Sequence, residues 1–329
     1  MSRPAFDILG IGNAIVDVVA EAPEAFLSKH DMHKGAMALI DAERAEQLSA
    51  AMPHGQQSSG GSVANTCAVA ASLGARAAFL GKVASDALGA AFRDDIRRVG
   101  VHFPTPPLQG GAATARCLIL VTPDGQRTMN TYLGACIAFG ERDVDTALIG
   151  DAAVLYLEGY LFDPPPAQAA FRQAAATARA AGRQVAVSLS DAFCVNRHRD
   201  AFRELVRDST DILLANEAEI CSLYEENAFE AAAAAAHRDV GLAVLTRSEA
   251  GSVIYAGDER LEIPAEPARV VDTTGAGDAY AAGFLTGLTA GRPLAECGRL
   301  GSIAAAEVIS QFGARPRTDI AARVRAAGL

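Results

Sequence analysis

Four short runs from residue 151 onward, AAVLYLEG, QVAVSLS, DILLAN and LAVLTRS, are apolar almost throughout, with no alternating polar positions. A strand of that kind has two faces to hide, and a parallel sheet with helices on both sides hides them. Ala-rich helical stretches separate the runs; one of them, AFEAAAAAAHRD, reads as plain helix. Near the N-terminus FDILGIG (6–12) reads as another buried strand feeding a loop. GGSVANTCAVAASLGA (60–75) opens on a Gly pair and continues as a small-residue helix ending at Gly74. A second unit follows, with a strand over 76–83, a helix over 86–98 and Gly100 as its C-terminal cap. The pattern predicts an α/β fold: a doubly wound, mostly parallel sheet flanked by helices.

Two segments, about 14–40 and 101–135, break this rhythm. KGAMALID reads as a strand, and TPDGQR between strand-like runs is a hairpin turn. Together they suit a small antiparallel sheet covering the main one as a lid. No fixed-period repeat or linker divides the chain, so residues 1–329 read as one domain carrying that lid.

A net charge of −10 excludes nucleic acid and anionic membrane as main partners. An anionic ligand then needs a local pocket of amides or cations. Six cysteines without a C-x-x-C pair, in a chain this long, read as reduced buried thiols of a cytoplasmic protein. The N-terminus lacks a cleavable signal pattern, and no run approaches the ~18 apolar residues of a membrane span.

Several motifs fail on inspection. GIGNAI (10–15) has Ile15 where a dinucleotide fingerprint needs its third Gly. LGKVAS has Val83 in place of the Ser or Thr of a phosphate loop, and GGSVA lacks the second Gly of a nucleophile elbow. His30 and His33 lie in a charged, solvated segment, which argues against structural zinc.

VVDTTGAGDAYAAGF (270–284) places a carboxylate directly behind a Gly-Ala-Gly turn at the start of a helical stretch. Taken alone, Asp278 is either a helix cap or a base beside a bound anion. Phosphoryl transfer to an alcohol needs such a base, together with preorganised donors for the charge on the moving group. Gly275, Ala276 and Gly277 can present bare N–H groups there.

The longer string resembles the C-terminal signature of the ribokinase-like (PfkB) carbohydrate kinase family. GGSVANTCAVAASLGARAAFLGKVASDALG (60–89) resembles its N-terminal signature, and NEAEI (216–220) its Asn-x-x-Glu element. The resemblance runs from about residue 6 to 320. It implies an ATP-dependent kinase acting with Mg²⁺ on a sugar-like hydroxyl, Asp278 as catalytic base, and Gly275, Ala276 and Gly277 as anion hole. It also implies that Asn216 and Glu219 organise Mg²⁺ and the nucleotide phosphates through water. Thr246 and Gly251 in LTRSEAGS fall where the family has a nucleotide loop; Ser248 replaces a commoner Gly. Asp272 and Thr274, with the VISQFGAR loop (308–315), resemble a monovalent-cation site for K⁺, although Arg317 stands where the family has a small polar residue.

Asn13 and Asp17, four apart, resemble the ribose contacts of the adenosine-kinase branch, with Gly60, Gly61 and Asn65 completing them. The implied acceptor is a ribose-bearing small molecule such as adenosine. The alternatives are a free-sugar kinase and a catalytically silent nucleoside-binding regulator. EGYLFDP (158–164) and QRTMNTYLGA (126–135) fall where the rest of the pocket is shaped. Arg127 has two readings, a substrate clamp that closes the lid or a hairpin charge in solvent. A monomer or homodimer is expected.

Overall fold

The computed structural model describes residues 3–329. In chain order its strands are β1 (Phe6–Ile11), β2 (Ile15–Glu21), β3 (Met37–Leu39), β4 (Gln56–Gly60), β5 (Ala77–Leu80), β6 (Ala115–Val121) and β7 (Arg127–Tyr132). They continue as β8 (Ala152–Glu158), β9 (Gln184–Ser188), β10 (Ile212–Asn216), β11 (Leu242–Thr246), β12 (Ser252–Ala256) and β13 (Glu259–Ile263). The main sheet runs β13-β12-β11-β10-β9-β8-β1-β5. From β5 to β11 every pairing is parallel, and β12 and β13 add an antiparallel edge.

The apolar runs behave as their composition demands. Leu9, Leu155, Leu157, Val187, Leu213 and Leu245 enter one core, with the helix Pro165–Ala180. Ile8, Val154, Tyr156, Ile212 and Val244 enter the other, with the helices Ser62–Ser72 and Ala276–Thr289. Both faces are thus buried at a period of two. From β1 the chain fills the sheet outward in two directions, to β5 on one side and from β8 to β13 on the other. The gap between β1 and β8 is the topological switch point, where open α/β sheets bind ligands beyond the carboxyl ends of their strands.

The second sheet has the order β3-β7-β6-β2-β4. It differs from the sequence expectation in three ways. It is mixed rather than antiparallel, because β2 pairs with β6 and β3 with β7 in parallel. It recruits the polar strand QQSSG (β4), which lacks an apolar pattern. And it leaves out 101–114, which instead bridges to the main sheet edge at Ala78–His102 and Ala84–Leu108. Among the described residues no helix is long and apolar enough to cross a membrane.

Candidate active site

A cavity of about 1020 Å³ opens between the two sheets, over the carboxyl ends of β1, β8, β10 and β11. Asn13, Asp17, Gly61, Asn65, Asn216, Glu219, Thr246, Thr274, Gly275, Ala276, Gly277 and Asp278 all line it. Residues separated by some 260 positions in sequence therefore face one space.

The helix Ala276–Thr289 begins at the cavity wall. Its N-cap Gly275 has φ +76°, and a Cβ there would lie 2.7 Å from that of Ala314. The N–H groups of Gly275 and Gly277 have no backbone partner, whereas that of Ala276 bonds Thr273 O at 3.2 Å. Free donors at a positive helix end make an anion site, built here by two of the three expected N–H groups. Asp278, in the first turn, accepts from Ser62 Oγ at 2.5 Å. Burial pushes its pKa up to about 6, against the Ser62 and Asn65 hydrogen bonds that lower it.

Asn13 follows β1 and is fixed by Glu158 at the end of β8. Glu158, almost wholly buried, accepts from Asn13 N at 3.2 Å, Asn13 Nδ2 at 2.8 Å and Val63 N at 2.9 Å. Burial raises the pKa of Glu158 to about 7. Asn13 thus gives its backbone N–H and one amide N–H to Glu158 and keeps its carbonyl oxygen free of a protein partner. Asp17 lies not in a loop but within β2, and burial raises it to about 6. Gly60 faces it directly, since a Cβ there would sit 2.4 Å from Asp17 Oδ2. Gly61, at φ +100°, starts the helix Ser62–Ser72 that carries Asn65.

At the other end Asn216 caps the helix Glu217–Tyr224. Its Oδ1 accepts from Glu219 N at 2.9 Å, while Glu219 accepts from Asn216 N at 2.9 Å and Nδ2 at 2.5 Å. The pair therefore forms a capping box, and both residues also face the cavity. Among the described residues no cluster of three His, Cys, Asp or Glu is placed to ligate a metal directly. A buried carboxylate beside an amide oxygen still fits a magnesium ion that keeps its waters. Gly251 stands apart: it lies between β11 and β12, outside the cavity that Thr246 lines.

The K⁺ expectation does not fit. Asp272 Oδ1 accepts from Thr274 N at 3.0 Å and Thr274 Oγ1 at 2.6 Å. Its Oδ2 accepts from Gly313 N at 2.9 Å and from Arg127 Nη1, so both carboxylate oxygens are engaged and a guanidinium already balances the charge a K⁺ would meet. Arg127, at the start of β7, is therefore not a hairpin charge in solvent. Burial would raise the pKa of Asp272, but its hydrogen bonds and the charge of Arg127 outweigh that and hold it below the usual range.

Sequence reasoning missed several residues. Glu158 lay in a stretch marked only as pocket-shaping. Ser62, which touches Asp278, sat unremarked inside the Gly-pair motif. Phe193, 66% exposed, and Tyr160, 38% exposed, line the cavity as isolated aromatics, and no periodicity could have found them.

A family model described as pfkB family carbohydrate kinase matches residues 34–321. The solved structure of an adenosine kinase from Sinorhizobium meliloti is 51% identical, with a TM-score of 0.90 over 98% of this chain and 99% of its own. A probable sugar kinase from Rhizobium etli CFN 42 is 48% identical, with a TM-score of 0.91 over 99% of both chains. A cytidine kinase from Thermococcus kodakarensis is 30% identical over 71% of this chain and 87% of its own.

Proposed function

We propose that this chain, which belongs to the pfkB family of carbohydrate kinases, transfers the γ-phosphoryl group of ATP to the hydroxymethyl group of a nucleoside such as adenosine. Family membership makes it an ATP-dependent sugar or nucleoside kinase. The acceptor and the residue roles are the proposal.

The observation that carries it is the cavity-facing side of the small sheet. In register, Asp17 pairs with Cys117 and Cys117 with Thr131; the next row is Ile119, Met129 and Met37. Strand side chains alternate between faces, so Asp17 shares its face with this apolar row. Leu39, Tyr160 and Phe193 extend the wall. A free sugar would meet Asp17 and leave that wall uncovered. A ribose carrying a flat base would meet Asp17 with its hydroxyls and cover the wall with its base. Aromatic contacts of this kind add ~0.5–1.5 kcal/mol beyond area burial.

In this reading Asp17 accepts from the ribose hydroxyls, and Asn13, Gly61 and Asn65 orient the ring. Asp278 faces the hydroxymethyl group. As the acceptor oxygen bonds to the γ-phosphorus, its proton passes to Asp278 and the bond to the β,γ-bridging oxygen breaks, releasing ADP. A carboxylate with a pKa near 6 is ionised at neutral pH yet basic enough to take that proton. The N–H groups of Gly275 and Gly277 meet the charge on the transferring group. Kinases of this family use a divalent metal, generally Mg²⁺, which neutralises nucleotide phosphate charge when bound. Asn216 and Glu219 would hold its water shell, and Thr246 would contact the nucleotide.

The alternative acceptor is a free sugar, in keeping with the name of the Rhizobium etli relative. An ADP-release assay across nucleosides, ribose and ketoses separates the two. Nucleosides should give the highest kcat/KM, and Asp17→Ala should lower it about ten- to a hundred-fold, the range for hydrogen bonds to a charged group. Free sugars outcompeting every nucleoside would overturn the reading.

A further inference from the structure

Arg315 follows the helix Leu294–Ile309 and reaches under the acceptor end of the cavity, with its side chain only 18% exposed. Its Nε donates to Asn65 Oδ1 at 3.0 Å and its Nη1 to Ser59 Oγ at 2.9 Å. Nη1 also lies 3.4 Å from Asp95 Oδ2. Nη2 is shut off from water and has no partner. A buried guanidinium nitrogen left unsatisfied is uncommon and calls for a reason beyond packing.

Holding Ser59 to Asp95 is not that reason. Ser59 N and Oγ already bond Asp95 Oδ2 directly, at 2.8 and 2.6 Å. What Arg315 supplies is the donor for Asn65 Oδ1, while Asp278 takes a hydrogen bond from the amide side. Guanidinium is a donor only, so the Asn65 atom facing it must be the carbonyl oxygen, and the amide nitrogen must turn the other way. That way lies the cavity wall shared with Asp278, Gly61 and Asp17.

We infer that Arg315 is a positioning residue for the acceptor, fixing Asn65 with its amide N–H groups turned into the cavity. Resting on the nucleoside reading above, this gives the ribose diol one donor, at Asn65, beside one obligate acceptor, at Asp17. Two adjacent hydroxyls can satisfy both at once, each accepting from one side and donating to the other. Without Arg315 the carbonyl oxygen of Asn65 loses its donor and only Asp278 holds the amide, so the flipped amide, whose carbonyl would duplicate Asp17, gains population.

A double-mutant cycle tests this. Arg315→Met should lower kcat/KM about tenfold or more, mainly through acceptor KM, with ATP KM unchanged. In an Asn65→Ala background the same change should cost less than about threefold, because Arg315 acts through Asn65. Arg315→Lys should recover part of the loss, since an ammonium donates to Asn65 but cannot also span to Ser59. The acceptor lacking the hydroxyl read by Asn65, supplied as the 2′-deoxy and the 3′-deoxy nucleoside, should be rejected by the wild type and less so by Arg315→Met. Full additivity of the two substitutions would overturn the inference and leave Arg315 a structural residue. If Arg315→Met does not fold, the cycle is run with Arg315→Lys, which keeps the charge. It uses whichever of adenosine, ribose or fructose the wild type phosphorylates. A wild type that takes only free sugars therefore overturns the nucleoside reading, while the cycle still decides on Arg315.

Discussion

Asp272 and Asp278 stand six residues apart in one motif, and the fold treats them in opposite ways. Asp272 takes four hydrogen bonds, one of them from a guanidinium, and its pKa is held low. Asp278 has Ser62 and Asn65 as its hydrogen-bonding neighbours, faces the cavity, and has its pKa raised. Burial raises both, more strongly at Asp278, and the supply of donors separates them further, because only at Asp272 do the hydrogen bonds and a guanidinium outweigh it. The first carboxylate fastens the anion-hole segment to β7 of the small sheet and to the 308–315 turn. The second is left with spare basicity.

The sharpest break in this contrast is Asp278→Asn. It keeps shape and removes the base, so kcat should fall by ~10²–10⁴-fold while acceptor binding by calorimetry survives. Near-normal turnover would mean that Asp278 is the structural partner of the pair.

Next in size is Arg127→Gln, which leaves Asp272 buried without its cation. Breaking a buried pair from one side costs about 3 kcal/mol or more, to be read as a lower urea midpoint with unchanged slope. An unchanged midpoint would show that Asp272 needs no cation.

A smaller effect comes from pH. The folded pKa values of Asp278 and Asp17, about 6, exceed the ordinary 3.8 expected of them unfolded. Between about pH 4 and 6 the native protein then binds more protons than the unfolded chain, so stability from these two groups falls as pH rises through that window. Asp272, shifted the other way, contributes stability that is present above its unfolded pKa and lost as pH falls through its folded one. Asp278→Asn should therefore stabilise the fold at pH 7.5 by on the order of 1–2 kcal/mol once cavity water is allowed for, read as a higher melting temperature, and should do little at pH 4. Over the same window wild-type kcat/KM should climb with pH as the base ionises. A variant that melts lower than the wild type at pH 7.5 would contradict the assignment.

The smallest expected effect is that of K⁺. A titration against a bulky-cation buffer should leave wild-type turnover flat, because Arg127 already meets Asp272. Stimulation of the wild type would show that the ion displaces the guanidinium.

Much of this was legible in the chain. The apolar runs dictated a sheet buried on both faces, and the Gly-rich entrances to the helices at 62 and 276 marked two stretches that line the cavity. Such features are local: period, turn chemistry and propensity act over a few residues, and the sequence carries them openly. β4 was not legible, because QQSSG becomes a strand only when β2 offers it an edge. The fates of Asp272 and Asp278 were not legible either, nor were the grip of Glu158 on Asn13 and that of Arg315 on Asn65. In each case a deciding partner lies between 145 and 250 residues away. Residue type and spacing determined which groups are available for chemistry. Only the tertiary structure, by closing those long loops, decided which carboxylate is satisfied and which is left free to accept a proton.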